Sequence, residues 1–128
     1  MDSKEFSQIR RYLGKTQAQI AQLLGVSSKA IQSFEQGWRN IPAYTERQLL
    51  FLLHLKGLTE PGLEPCWEKM NCDQQTRQRC PAWEFQADHL CWFLNGTVCQ
   101  GRVQQDWESK MQLCRQCDFF RALFPILE

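Results

Sequence analysis

Seven cysteines crowd into one stretch of this chain, at Cys66, Cys72, Cys80, Cys91, Cys99, Cys114 and Cys117, and the first 65 residues have none. Thiols at this density can do chemistry. An odd number cannot all pair as disulfides, and "MDSKEFSQIRRYL" lacks the apolar run of a secretory leader, so a reducing, cytoplasmic setting is expected. Three chemistries compete. Structural zinc takes four ligands, usually from two short knuckles, and here only Cys114 and Cys117 form a Cys-x-x-Cys pair. An iron–sulfur cluster accepts wider separations and often has a ligand followed by proline, as in Cys80-Pro81. Reversible thiol–disulfide exchange could use Cys114 and Cys117 without metal. The iron–sulfur reading is preferred over zinc, with Cys80, Cys99, Cys114 and Cys117 as ligands. Cys66, Cys72 and Cys91 are then buried apolar thiols or alternative ligands.

Local pattern constrains how the thiols can meet. "CWFLNGTVCQG" contains Asn95-Gly96, a type I′ hairpin signal. The predicted hairpin pairs Leu94 with Thr97, Phe93 with Val98 and Trp92 with Cys99. Alternation along the strand would then put Cys99 and Cys91 on opposite faces, unable to share one metal. Four of the five tryptophans, Trp67, Trp83, Trp92 and Trp107, fall in the same region and would shield a centre from solvent. His89 and His54 are expected to be ordinary side chains. The run Phe119, Phe120, Leu123, Phe124 has helical spacing and is expected in a core.

The elements that must position these residues divide the chain. Residues 1–57 hold eight Lys/Arg against four Asp/Glu, whereas residues 58–128 hold seven against ten. A basic front half fits an anionic partner such as nucleic acid. "KGLTEPGLEPCW" packs two Gly and two Pro together, which ends a helix and suits a linker. The organisation is therefore residues 1–57, a linker at 58–65, and a cysteine-rich module at 66–128.

The front half reads as four helices. Phe6, Ile9 and Leu13 give the first its apolar spacing, and Gly14 stops it. Thr16 and Gln19 fit a capping box for the second, whose stripe is Ile20, Leu23 and Leu24, with Gly25 at its end. Ser27 or Ser28 caps the third, "SKAIQSFEQ", which buries Ala30, Ile31 and Phe34 before Gly37. The fourth runs from about Ala43 to Lys56 with the stripe Leu49, Leu50, Leu53.

With its short turn, small Ala21 and Gly25, "TQAQIAQLLGVSSKAIQSFEQG" strongly resembles the helix-turn-helix of the phage-repressor (Cro/cI, XRE-type) DNA-binding family. The resemblance covers roughly residues 5–55. It implies a third helix in the DNA major groove, with Ser28, Lys29, Gln32 and Ser33 at base edges. It implies a backbone or flanking-base contact by Gln17, phosphate contacts by Arg39 and Asn40, and an Arg10–Glu35 ion pair. Lys29 could donate to guanine and Gln32 could pair adenine. The bland alternatives are a capping role for Ser28, a solvated face for Lys29 and Gln32, and packing for Arg39.

Residues 66–120 resemble the two-CW cysteine-rich domain, found attached to bacterial chemotaxis receptors and other regulatory proteins. The matching marks run C-W-E…C…C-P-A…C-W…G-T-x-C…K…C-x-x-C-x-F. That likeness implies an architecture more than an activity.

The expected fold is mainly α: a four-helix repressor-like domain plus a small metal-stabilised α+β module with a hairpin. The expected function is a sequence-specific transcription regulator, a homodimer on double-stranded DNA, with a redox-sensing iron–sulfur centre. The alternative is a docking or signalling module with purely structural zinc. No nucleophile–base pair, phosphate loop or carboxylate pair gives catalysis a candidate, and neither a membrane span nor a small-molecule substrate is expected.

Overall fold

The computed structural model describes residues 1–57 and 62–127. The chain divides into two compact units, Met1–Gly57 and Leu58–Ile126. Residues 58–61 of the expected linker lie outside the described residues. The protein is mainly helical, with nine α-helices and one two-stranded antiparallel sheet among the described residues.

In the first unit, the first three helices each start at a side-chain cap next to them in sequence. Helix α1 (Ser3–Tyr12) starts where the Glu5 N–H donates to the Asp2 carboxylate, at 2.8 Å. Helix α2 (Gln17–Leu24) carries the expected capping box: the Gln19 N–H donates to Thr16 Oγ1 at 3.1 Å and the Thr16 N–H to Gln19 Oε1 at 2.9 Å. It ends at Gly25, whose φ of 69° is left-handed and favours glycine. The cap of α3 (Ser28–Gln36) is Ser27, which accepts from the Ala30 N–H at 3.1 Å. Helix α4 (Ala43–Lys56) follows Pro42.

These helices bury one core. Phe6 meets Phe34 edge to face with ring centres 5.8 Å apart, and Ile9, Ile20, Ile31, Leu49 and Leu50 lose all exposure. One stripe differs from expectation. Helix α2 buries Ile20, Ala21 and Leu24 but leaves Leu23 half exposed, because α3 and α4 pack on the face centred on Ile20.

Glu35 ties α3 to its neighbours. Arg10 Nη2 lies 2.9 Å from Glu35 Oε1, Ser7 Oγ donates to that oxygen at 2.6 Å, and Gln17 Nε2 donates to Oε2 at 2.8 Å. Burial opposes ionisation of Glu35, but the hydrogen bonds from Arg10, Ser7 and Gln17 outweigh it and hold the carboxyl below its ordinary range. Such a group stabilises the fold above the unfolded-state pKa, and the contribution disappears as pH falls through the lower folded value. Glu35→Gln is therefore expected to lower stability by about 1.5–3 kcal/mol at neutral pH. The gap to the parent should close in acid, as pH falls through the lowered folded-state value of Glu35 and its carboxylate takes up a proton. Urea denaturation of both proteins across pH checks this; a gap independent of pH would contradict it.

The second unit is built from short elements. Helices α5 (Cys66–Lys69), α6 (Gln74–Arg79) and α7 (Pro81–Glu84) come first. Strands β1 (Val98–Cys99) and β2 (Arg102–Val103) follow, then α8 (Trp107–Cys114) and α9 (Asp118–Leu123). Asp73 and Asp106 cap α6 and α8, and Pro81 occupies the first turn of α7, where a missing N–H is harmless. Trp92 is fully buried and meets Phe124 with ring centres 5.3 Å apart, while Trp67 meets Trp83 at 5.1 Å. Phe119, Phe120, Leu123 and Phe124 are buried as expected.

The hairpin is not where the Asn95-Gly96 signal put it. The pairing is Val98 with Val103 and Cys99 with Arg102. The two-residue turn is Gln100-Gly101, whose φ values of 52° and 76° are both left-handed, as a type I′ turn requires. Residues 91–93 form a 3₁₀ turn instead of a strand. The cause is Trp92: its indole N–H donates to the His89 carbonyl at 2.9 Å while its ring packs on Phe93 and Phe124. Cys91 and Cys99 are therefore not alternating residues of paired strands, and strand alternation does not set them on opposite faces.

Candidate functional site

The second unit brings its thiols together from every part of its chain. Cys66 opens α5 and Cys72 follows it; Cys80 lies between α6 and α7. Cys91 begins the 3₁₀ turn and Cys99 sits in β1. Cys114 ends α8 and Cys117 precedes α9. All seven line one cavity of about 460 Å³, and all are free thiols.

Cys80, Cys99, Cys114 and Cys117, the preferred ligands, are electrostatic neighbours. Cys99 feels Cys80 and Cys117, and Cys114 feels Cys99 and Cys117. The other three were expected as buried thiols or alternative ligands. They line the same cavity: Cys72 is within reach of Cys66, Cys80 and Cys99, and Cys91 is within reach of Cys114. Among the described residues, no three His, Cys, Asp or Glu side chains form a group that could hold a metal ion. The thiols thus ring a space; they do not converge on a point.

Burial raises Cys72 and Cys99 and pushes Cys114 up to about 12. Cys66 differs. Cys91 donates a hydrogen bond to it, so Cys66 ionises below the usual thiol range while Cys91 is driven well above.

Two wall residues carried no role in the sequence reading. Met70 places its sulfur 3.9 Å from the Cys117 sulfur. Lys110, only 1% exposed, also lines the cavity, and its ammonium donates to the Thr97 hydroxyl. Thr97 in turn lies 3.7 Å from the Cys99 sulfur. A signal for Lys110 existed: it stands four residues before Cys114, on the same face of a helix. His89 makes a contact of 3.0 Å with the Leu63 carbonyl and does not line the cavity.

The first unit presents a different surface. Helix α3 buries Ala30, Ile31 and Phe34 and turns Ser28, Lys29 and Gln32 to solvent, with Ser33 half-buried. With Ser27 as the cap, Ser28 is not needed for that purpose. Arg39 and Asn40 are exposed beyond the helix, and the Arg39 guanidinium stands 5.4 Å from the Phe34 ring centre. Gln17 is half-buried and engaged with Glu35.

No family model, curated protein or solved structure matches the chain. The candidate sites therefore stand on their own geometry. Among the described residues, no helix is long and apolar enough to cross a membrane.

Proposed function

We propose that this protein is a DNA-binding regulator, with a helix-turn-helix in residues 1–57 and a thiolate-ligated metal centre in the cysteine-rich unit. The observation that carries the first part is α3: one face is core, and the other offers Ser28, Lys29 and Gln32 free to solvent beyond a left-handed glycine turn. Exposed polar side chains at the start of such a helix can reach base edges, and Arg39 and Asn40 can reach phosphates. A homodimer would present two such helices to half-sites one turn apart. Gln17, held by Glu35, acts here by steadying α2 against α3; a base contact from it would require breaking that hydrogen bond.

For the second part, the support is the enclosure of seven thiols and a buried cation in one cavity. Four tetrahedral sulfurs about 2.3 Å from zinc must lie within roughly 4 Å of each other. A polynuclear cluster is held by thiolates set farther apart, which fits a ring of sulfurs better than a point does. Cys80, Cys99, Cys114 and Cys117 remain the preferred holders. An iron–sulfur group would supply one-electron chemistry there, and the aromatic packing of the unit would limit solvent access.

The reading is tested by measuring duplex affinity after mild oxidation and after reduction. A coupling of about 1–3 kcal/mol predicts a change of roughly 5- to 150-fold. Purely structural zinc, in a docking or signalling module, predicts no visible absorption and no dependence of DNA affinity on oxidant.

A further inference from the structure

We propose that Lys110 is the fixed counter-charge of the thiol cavity, its buried ammonium anchored on Thr97 so as to hold an anionic, thiolate-ligated metal centre. This rests on reading the cavity as a metal centre, and it adds the sign of the charge the cavity is built to receive.

A lysine is almost never fully buried without a partner, because taking an ammonium out of water is costly unless an opposite charge repays it. Lys110 is 1% exposed and among the largest fully buried side chains. Its ammonium has three donors, yet among the described residues its hydrogen bond is to the neutral hydroxyl of Thr97, and it forms no ion pair. The missing partner must be negative and must reach the cavity that Lys110 lines. Four thiolates around a divalent zinc carry a net charge of −2, and thiolate-held iron–sulfur clusters are likewise anionic. A neutral or cationic occupant would leave the ammonium uncompensated.

The surroundings agree. Lys110 lines the cavity together with Cys66, Cys91, Cys99 and Cys114, so it shares that space with two of the preferred ligands and with the pair outside them. Its helix also supplies Cys114 one turn later, which fixes the ammonium and one ligand to the same rigid element. Asp88 acts on Cys66, but from an exposed position.

The test compares full-length parent, Lys110→Met, Lys110→Gln and Lys110→Arg proteins, purified without oxygen. Iron, sulfide and zinc are measured per chain, and metal loss is followed against increasing EDTA. Urea stability of each metal-free form is recorded in parallel. The expected result is at least a tenfold drop in the EDTA needed to remove half the metal for the Met and Gln variants. The Arg variant should stay within threefold of the parent. The metal-free Met variant should be as stable as the metal-free parent or more so, because an uncompensated buried charge has gone; Lys110→Gln covers the case in which Lys110→Met does not fold. If the parent carries metal and all variants hold it equally, the counter-charge role is overturned while the metal centre stands. A parent free of metal overturns both.

Discussion

Cys114→Ser is expected to empty the metal centre and to abolish the cooperative unfolding of the cysteine-rich unit, while residues 1–57 unfold as before. Cys114 is singled out because it is the cysteine whose side chain is buried, and its thiol neighbours are Cys91, Cys99 and Cys117. It also ends α8, whose Trp107, Lys110 and Met111 are buried beside it. Removing one ligand from a thiolate site forfeits much of a binding free energy that doubles as folding free energy, about 10–16 kcal/mol for structural zinc. The loss should therefore be several kcal/mol, well beyond the cost of an oxygen in place of a buried sulfur. Cys72→Ser is the control: Cys72 lines the cavity but lies outside the preferred four. Metal analysis and calorimetry check both variants. Full metal content and an unchanged second transition in Cys114→Ser would remove Cys114 from the ligand set.

The two units differ in how much of them the sequence reveals, and the reason is where their boundaries are decided. In residues 1–57 most ends of the first three helices are marked by residues close in sequence: Asp2, the Thr16–Gln19 box, Gly25, Ser27 and Gly37, whereas α4 has no side-chain cap. Such short-range chemistry can be read directly. The choice between Ser27 and Ser28 as cap could not, since both suit the position. Leu23 misled for a tertiary reason: its period fits the stripe, but which arc of the helix is covered depends on what packs there.

In the cysteine-rich unit the deciding contacts are distant. Asn95-Gly96 is a sound turn signal, yet the strand before it loses to the burial of Trp92 against Phe124, more than thirty residues along. The turn then moves to Gln100-Gly101, where a non-glycine residue accepts a φ of 52°. That shift dissolves the face rule that had separated Cys91 from Cys99 and puts every thiol on one cavity wall. The spacing of Lys110 to Cys114 could be read, but its burial could not, for a related reason. A lone lysine in "WESKMQLC" looks like solvated surface, and only packing shows it sealed against Thr97, which follows a turn on another element.

If α3 reads DNA, the double variant Lys29→Ala, Gln32→Ala should bind its best duplex, chosen from a random pool by the parent protein, at least 30-fold more weakly. Each base-edge contact is worth about 1–3 kcal/mol of discrimination, so two together span roughly 2–6 kcal/mol. The fold should not suffer, because both side chains are exposed and point away from Ala30, Ile31 and Phe34. Alanine is also a better helix former than either residue it replaces. Arg39→Ala should behave differently. A phosphate contact weakens all duplexes alike and lowers the salt slope by about one ion, with little change in preferred sequence. Its packing on Phe34 offers a competing outcome, in which stability falls and affinity per folded molecule does not. Anisotropy titrations at several salt concentrations, with selected and scrambled duplexes, separate these cases. A double variant that keeps the parent's preference for the selected sequence would show that α3 does not carry recognition. A parent protein with no salt-dependent affinity for any duplex would show that residues 1–57 are a helical bundle with another purpose.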